Sequence, residues 1–246
     1  MIVDFRVFVG QSFDGTRQTV GDLVHGLDSL SLDRALVCPF KPLSYNLDEA
    51  NAQLAAAIRP YPDRLLGAAR IDPWQPDAPA SLRRGIEMLG LRALYLNPWE
   101  EHFPADLERL DSLMEVAQAH RVPVLVAAGY PWLSAAAQVC ALARRWASVP
   151  VVMSNGGQIN ISGLGQAGAA LALAQAPNLH FDSAGVYRQD FIEECVRDFG
   201  AERVLLGSGS PYFDPRLEIK RILWAKVSES ERCLMLGENA ARLLQW

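Results

Sequence analysis

Short runs of apolar and β-branched residues alternate along the chain with stretches in which apolar positions recur at helical spacing. The runs lie at 2–9, 34–39, 64–71, 92–97, 122–128, 149–154, 178–183 and 203–208, and each predicts a strand. Between them the pattern predicts helices over 17–28, 46–59, 78–89, 105–120, 133–147, 162–175, 188–199 and 214–225, with a last one over 236–244. In 105–120, Leu107, Leu110, Leu113, Met114 and Ala117 form one stripe, and Pro104 stands where a helix can begin.

Strand followed by helix, repeated along the whole chain, is the order of a parallel α/β sheet. The length of 246 residues matches the roughly 250 of a (β/α)8 barrel. An open dinucleotide-binding sheet would carry G-x-G-x-x-G after its first strand, whereas residues 10–15 here read GQSFDG. The expectation is therefore one TIM barrel spanning 1–246. Half of the residues are hydrophobic, which suits a large core, and no linker or low-complexity tract divides the chain.

Net charge −5, with dispersed Lys and Arg, argues against a nucleic-acid partner. Charges at Asp4 and Arg6 interrupt what would be a signal peptide's apolar core, and no apolar run is long enough to span a membrane. The four cysteines are widely separated and read as reduced residues of a cytoplasmic protein.

A barrel places its chemistry at the C-terminal ends of the strands. Arg6, Phe8, Arg70, Asp72, Tyr95, Asn97, Trp99, Ser154, Asn155, Asp182, Ser183, Ser208 and Ser210 fall there, with Lys41, Tyr130, Tyr187, Arg188 and Tyr212 in the loops. Such a set suits a small-molecule pocket.

Several strand ends carry a resemblance. Asp4-Phe5-Arg6-Val7-Phe8 resembles the D-x-H-x-H strand of the amidohydrolase-related (amidohydrolase 2) family, which includes aminocarboxymuconate semialdehyde decarboxylase. YPDRLLGAARIDP (61–73), LNPWEE (96–101), SNGGQ (154–158), GSGSP (207–211) and LGENAARLL (236–244) resemble further segments of that family. The resemblance implies a metal-dependent-hydrolase type of barrel. It also implies that two first-strand histidines, a fifth-strand histidine and an eighth-strand aspartate would hold a divalent metal, with a sixth-strand histidine beside it. Those positions correspond here to Arg6 and Phe8, Ala127, Gly209 and Asn155. None is a ligand for a divalent ion, and a guanidinium repels one. The expectation is no metal and no cofactor, with the four histidines (His25, His102, His120, His180) too scattered to replace the lost set. His102 beside Glu100 and Glu101 reads as a solvated charge cluster.

Arg6 would either bind a ligand's acid group or pair with Asp4 or Asp182, the latter being favoured because an inward arginine needs a counter-charge. Asp182 and Asp72 would serve as acid or base, or as structural partners of Arg6 or Arg70. Asp72 also reads as an Asp-Pro turn former. Cys38 reads as a buried small hydrophobe. The glycine-rich turns 156–163 and 207–211 read as tight βα turns. Three functions compete, the last of them a metallohydrolase with relocated ligands. The first is a non-catalytic subunit that binds a small molecule or partners an active paralogue or a second copy. The second is a metal-independent hydrolase, lactonase, isomerase or decarboxylase for a carboxylated substrate, with Arg6, Tyr95, Asn155 and Asp182 in the chemistry. Arg6, Phe8, Arg70, Asn97, Trp99, Asn155, Asp182, Ser208 and Tyr212 are the expected ligand-binding residues.

Overall fold

The computed structural model describes residues 1–158 and 163–246. Its strands are β1 (Val3–Gln11), β2 (Arg17–Gln18), β3 (Arg34–Pro39), β4 (Leu65–Arg70), β5 (Ala93–Leu96), β6 (Val124–Val126), β7 (Val151–Met153), β8 (Leu179–Asp182) and β9 (Val204–Leu205). Its longer helices are α1 (Val20–Ser29), α2 (Leu47–Ile58), α3 (Ala78–Glu87), α4 (Asp111–His120), α5 (Ala136–Arg145), α6 (Gly163–Gln175), α7 (Gln189–Phe199) and α8 (Pro215–Trp224). The chain ends in helical segments α9 (Glu229–Cys233) and α10 (Asn239–Leu244), joined by a wider helical turn over Leu234–Glu238.

Apart from the β1–β2 hairpin, every strand is parallel to the next one in chain order. The sheet curls until its ends meet. Phe5 N–H donates to Leu206 O at 2.8 Å, Gly209 N–H to Arg6 O at 2.8 Å, and Phe8 N–H to Ser210 O at 2.7 Å. The TIM barrel expected from the strand–helix order is thus the observed architecture. Among the described residues, no helix is long and apolar enough to cross a membrane.

Alternation along the strands separates two apolar layers. Leu36, Cys38, Leu125, Val152 and Leu205 fill the barrel interior. Ala35, Val37, Val124, Val126 and Val151 face the helices, where α4 supplies Leu113, Met114 and Ala117. β1 breaks the alternation. Two residues, Phe5 and Arg6, lie between Asp4 and Val7, opposite the single Leu36 between Ala35 and Val37 on β3. This extra residue shifts the phase, so Phe5 packs inside the barrel while Arg6 and Phe8 both face the cavity at its mouth.

Element ends depart from expectation for local reasons. Residues 17–18 pair with β1 instead of starting a helix, and α1 begins at Val20 because Thr19 and Asp22 cap it reciprocally. Residues 105–107 stay outside α4, since Ala105 N–H is taken by Leu133 O at 2.6 Å. The closing helix starts at Glu229 rather than 236, where Ser228 and Glu231 form a capping box. The first residue of the expected 162–175 helix, and half of the 156–163 turn, lie outside the described residues.

One buried side chain ties a helix to the edge of the site. Asn51 on α2 donates to Arg70 O and accepts from Arg70 N–H, both at 2.9 Å. Replacing Asn51 with Ala would orphan both backbone groups at the end of β4. The expected cost is about 1–3 kcal/mol in urea unfolding, and Asn51→Asp, which keeps the acceptor, should lose less.

Candidate functional site

A cavity of about 530 Å³ opens at the C-terminal ends of the strands. Of the expected ligand-binding residues, Arg6, Phe8, Arg70, Asn97, Trp99, Asn155 and Tyr212 line it, as does Tyr95. Asp182 lies beneath Arg6 rather than in the wall. Ser208 stays behind the strand seam, where its N–H donates to Asp4 Oδ1 at 2.8 Å and its hydroxyl accepts from Ser210 N–H at 3.0 Å.

Arg6 is held from below. Its Nε donates to Asp182 Oδ2 at 2.6 Å, and its Nη2 to Asp182 Oδ1 at 3.1 Å and to Asn155 Oδ1 at 2.9 Å. Asp182 Oδ1 also accepts the backbone N–H groups of Asn155 (3.0 Å) and Ala184 (3.2 Å). Asn155 can reach both partners because it adopts a left-handed conformation, φ 57°, which Asn tolerates better than most residues. Arg6 Nη1 has no hydrogen-bond partner among the described residues and belongs to a side chain that lines the cavity.

Of the two carboxylates expected to pair with the Arg6 guanidinium, Asp182 does so, whereas Asp4 meets Arg6 only through its backbone N–H, at 3.3 Å. Burial pushes the Asp4 carboxyl up to about 6; hydrogen bonds from Ser208 and Arg6 oppose the rise and the Asp182 charge adds to it. For Arg6, burial alone would favour the neutral form, but the charge and hydrogen bonds of Asp182 outweigh it and keep the guanidinium protonated.

A second charged group lines the same cavity. Arg70 Nη2 donates to Glu100 Oε2 at 2.5 Å and to Glu101 Oε1 at 2.7 Å. Lys41 Nζ lies 3.7 Å from Glu101 and donates to Glu100 O. Two expectations are corrected here. Glu101 is buried, so Glu100 and Glu101 are not a solvated cluster: the strand end brings the Arg70 charge to them. Asp72 is no partner for Arg70; its carboxylate turns back onto Trp74 N–H at 2.9 Å, as an Asp-Pro turn former does.

The remaining walls are aromatic. Phe8 stacks on Phe40 with centroids 5.3 Å apart and meets Tyr95 and Tyr212 edge-on, each at 5.8 Å. Trp99 and Tyr130 stack at 5.0 Å and 8°. The sequence reading missed Phe13 and Phe40 and gave Glu100 no role in the site. Phe40 follows β3 directly and was findable by position, whereas Phe13 sits in a hairpin read as the approach to a helix. Tyr187 and Arg188, expected at the mouth, stay out of the cavity wall, and Arg188 pairs with Asp190 and Glu194.

Few groups here are poised for proton transfer or attack. Burial pushes the Cys38 thiol up to about 12 and raises the Tyr95 phenol well above its ordinary value. His25 and His102 are exposed, His120 pairs with Glu87, and His180 is buried at β8 against Glu202 O.

Residues in this arrangement do not fit a divalent metal. Among the described residues no three His, Cys, Asp or Glu side chains converge as such an ion requires. A Cβ built on Gly209 would stand 3.5 Å from Arg6 Nη1, so the position of the family's aspartate faces the guanidinium.

Fold and site together define a barrel with a charged, aromatic-walled pocket at its C-terminal face. The family model described as amidohydrolase matches residues 46–246, and the chain belongs to that family. No curated protein matches it. Among solved structures, it resembles an uncharacterized TIM-barrel protein from Bordetella bronchiseptica (20% identity, TM-score 0.80, covering 99% of this chain and 98% of that one). It also resembles a probable 2-pyrone-4,6-dicarboxylic acid hydrolase from Acinetobacter baumannii, solved with citric acid bound (17%, 0.78, 100% and 99%). A third likeness is to a 2,6-dihydroxybenzoate decarboxylase from Rhizobium (15%, 0.76, 99% and 98%).

Two outcomes follow from the charges. Asp182→Ala strands Arg6 in the interior and should cost about 3–5 kcal/mol, whereas the double variant Arg6→Met/Asp182→Leu should recover most of that loss in urea unfolding. Asp4 binds its proton more tightly folded than unfolded, so its contribution to stability is full below the ordinary carboxylate range near 3.8 and is lost as pH rises through about 6. The loss is on the order of 2–3 kcal/mol. Asp4→Asn, which keeps the acceptor for Ser208, should show a visibly smaller decline in stability between pH 4 and pH 7 than the parent.

Proposed function

We propose that the barrel mouth is a metal-independent pocket for a small, flat organic acid, and that the chain holds its ligand without turning it over. The observation that carries this reading is Arg6: its guanidinium stands where the family resemblance implies a divalent ion, anchored by Asp182 and Asn155, with Nη1 left unpaired at the cavity. An unpaired guanidinium N–H suits a carboxylate. Stacked aromatics on two sides suit a planar ring. The hydrolase and decarboxylase named above act, by their names, on flat ring acids. Absence of turnover is supported by the chemistry of the walls, since the Cys38 thiol and the Tyr95 phenol resist ionisation and both Asp182 oxygens are engaged by Arg6. In this reading the chain is a cytoplasmic ligand-holding subunit, in a homo-oligomer or beside an active paralogue.

A second reading, metal-independent hydrolysis or decarboxylation, is favoured by the same free Nη1, which could polarise a carboxylate or carbonyl at the cavity floor.

The test is calorimetric titration of chelator-treated protein with 2,6-dihydroxybenzoate and 2-pyrone-4,6-dicarboxylate, with product analysis in parallel. Binding is expected, Arg6→Lys should weaken it about tenfold or more, and no product should form. Product from metal-free protein that disappears in Arg6→Lys would establish the second reading instead, and a requirement for zinc or manganese would overturn both.

A further inference from the structure

The cavity has two charged corners, and both are already balanced by the protein. On the floor, Arg6 is matched by Asp182 at 2.6 Å. At the second corner two cations, Arg70 and Lys41, are matched by two carboxylates, Glu100 and Glu101. A ligand carrying a lone negative charge would leave this interior unbalanced. One whose own charges cancel would not.

Each corner also leaves a group unused on a side chain that lines the cavity. At the floor this is Arg6 Nη1. At the wall it is Glu100 Oε1: only Oε2 accepts from Arg70, Oε1 has no partner among the described residues, and the side chain, 18% exposed, lines the cavity. Glu100 is spare in this sense because Arg70 Nη2 donates to Glu101 as well, while Arg70 Nε and Glu101 Oε2 stay buried without a partner among the described residues. Tyr130 lines the same cavity. Burial raises its phenol first, then the Glu100 charge raises it further, while the Arg6 charge lowers it. At the rim Asp14 adds another carboxylate.

Resting on the binding reading above, we propose that the pocket selects a planar ring bearing an acid at one end and a cationic amino group at the other. The acid meets Arg6 Nη1, the ammonium meets Glu100 Oε1, and Glu100 is the specificity-determining residue. Neither corner performs chemistry here; the pair sets which end of the ring faces which wall.

The experiment compares 4-(aminomethyl)benzoate with 4-methylbenzoate by calorimetry on the full chain and on Glu100→Gln and Glu100→Asp. The two probes share ring and acid and differ in the ammonium. The parent should bind the aminomethyl compound about tenfold more tightly. Glu100→Gln should bring that ratio near one while its affinity for 4-methylbenzoate shifts less than about threefold, and Glu100→Asp should keep part of the preference. Because Glu101 still holds Arg70, both variants should unfold at urea midpoints close to the parent's. Equal or weaker binding of the aminomethyl compound, or a preference that survives Glu100→Gln, overturns the proposal while leaving the pocket intact. If neither probe binds, the pocket reading falls and this proposal with it.

Discussion

A guanidinium on the floor of a barrel loses most of its hydration, a cost of several kcal/mol even after the protein relaxes. Arg6 is tolerable there because Asp182 takes both its Nε and its Nη2, and because Asn155 bends into a left-handed turn to accept a second bond from Nη2. Arg6 comes from β1 and Asp182 from β8, so the pair forms only once the barrel has curled. The arrangement is interlocked. Asp182 is itself fixed by the Asn155 and Ala184 N–H groups, and the Arg6 backbone is tied on one side to Asp4 and on the other to Gly209. Everything at the mouth is arranged around that immovable cation.

Family membership and site chemistry separate cleanly here. The interior layer of Leu36, Leu125, Val152 and Leu205 and the outer layer packed on the helices define the barrel without reference to the mouth. Strand ends and loops can therefore change while the scaffold persists. Phe8 illustrates this: it contributes nothing a metal could use, but it nucleates an aromatic cluster with Phe40, Tyr95 and Tyr212 that gives the cavity a shaped, rigid side.

The fold was readable in the sequence because it rests on short-range regularities. Strand and helix periods, and their order, survive any uncertainty about contacts. The Arg6–Asp182 pair was also readable, since burial demands a counter-charge and few acidic residues lie at strand ends. The bulge in β1 was not. It arises from a register mismatch with β3, and a two-residue spacing of Arg6 and Phe8 implies the right facing with no hint that Phe5 shares it. Glu100 and Glu101 were misread for a related reason. Two adjacent acids beside a histidine look solvated in one dimension, and what buries them is Arg70, thirty residues earlier, brought over by the pairing of β4 with β5. Asp72 failed the other way: its turn back onto Trp74 is local, and that local bond outcompetes the longer-range pairing.

Both arginines at the mouth are solved in one manner, and the manner constrains what the pocket can recognise. Where a protein leaves a buried cation uncompensated, a bound anion supplies the missing charge and affinity follows charge. Here Asp182 and the two glutamates have already supplied it, so an incoming acid gains a hydrogen bond from Arg6 Nη1 but little net Coulombic advantage. In the proposed reading, discrimination then comes from what is left: the gap between the stacked aromatics, the direction of the free Arg6 N–H, and the free Glu100 oxygen, with Arg70 Nε and Glu101 Oε2 unpaired among the described residues. Such a pocket trades strength of attraction for geometric demand, because a ligand that misplaces either end forfeits a bond and strands a polar group in a partly dry cavity.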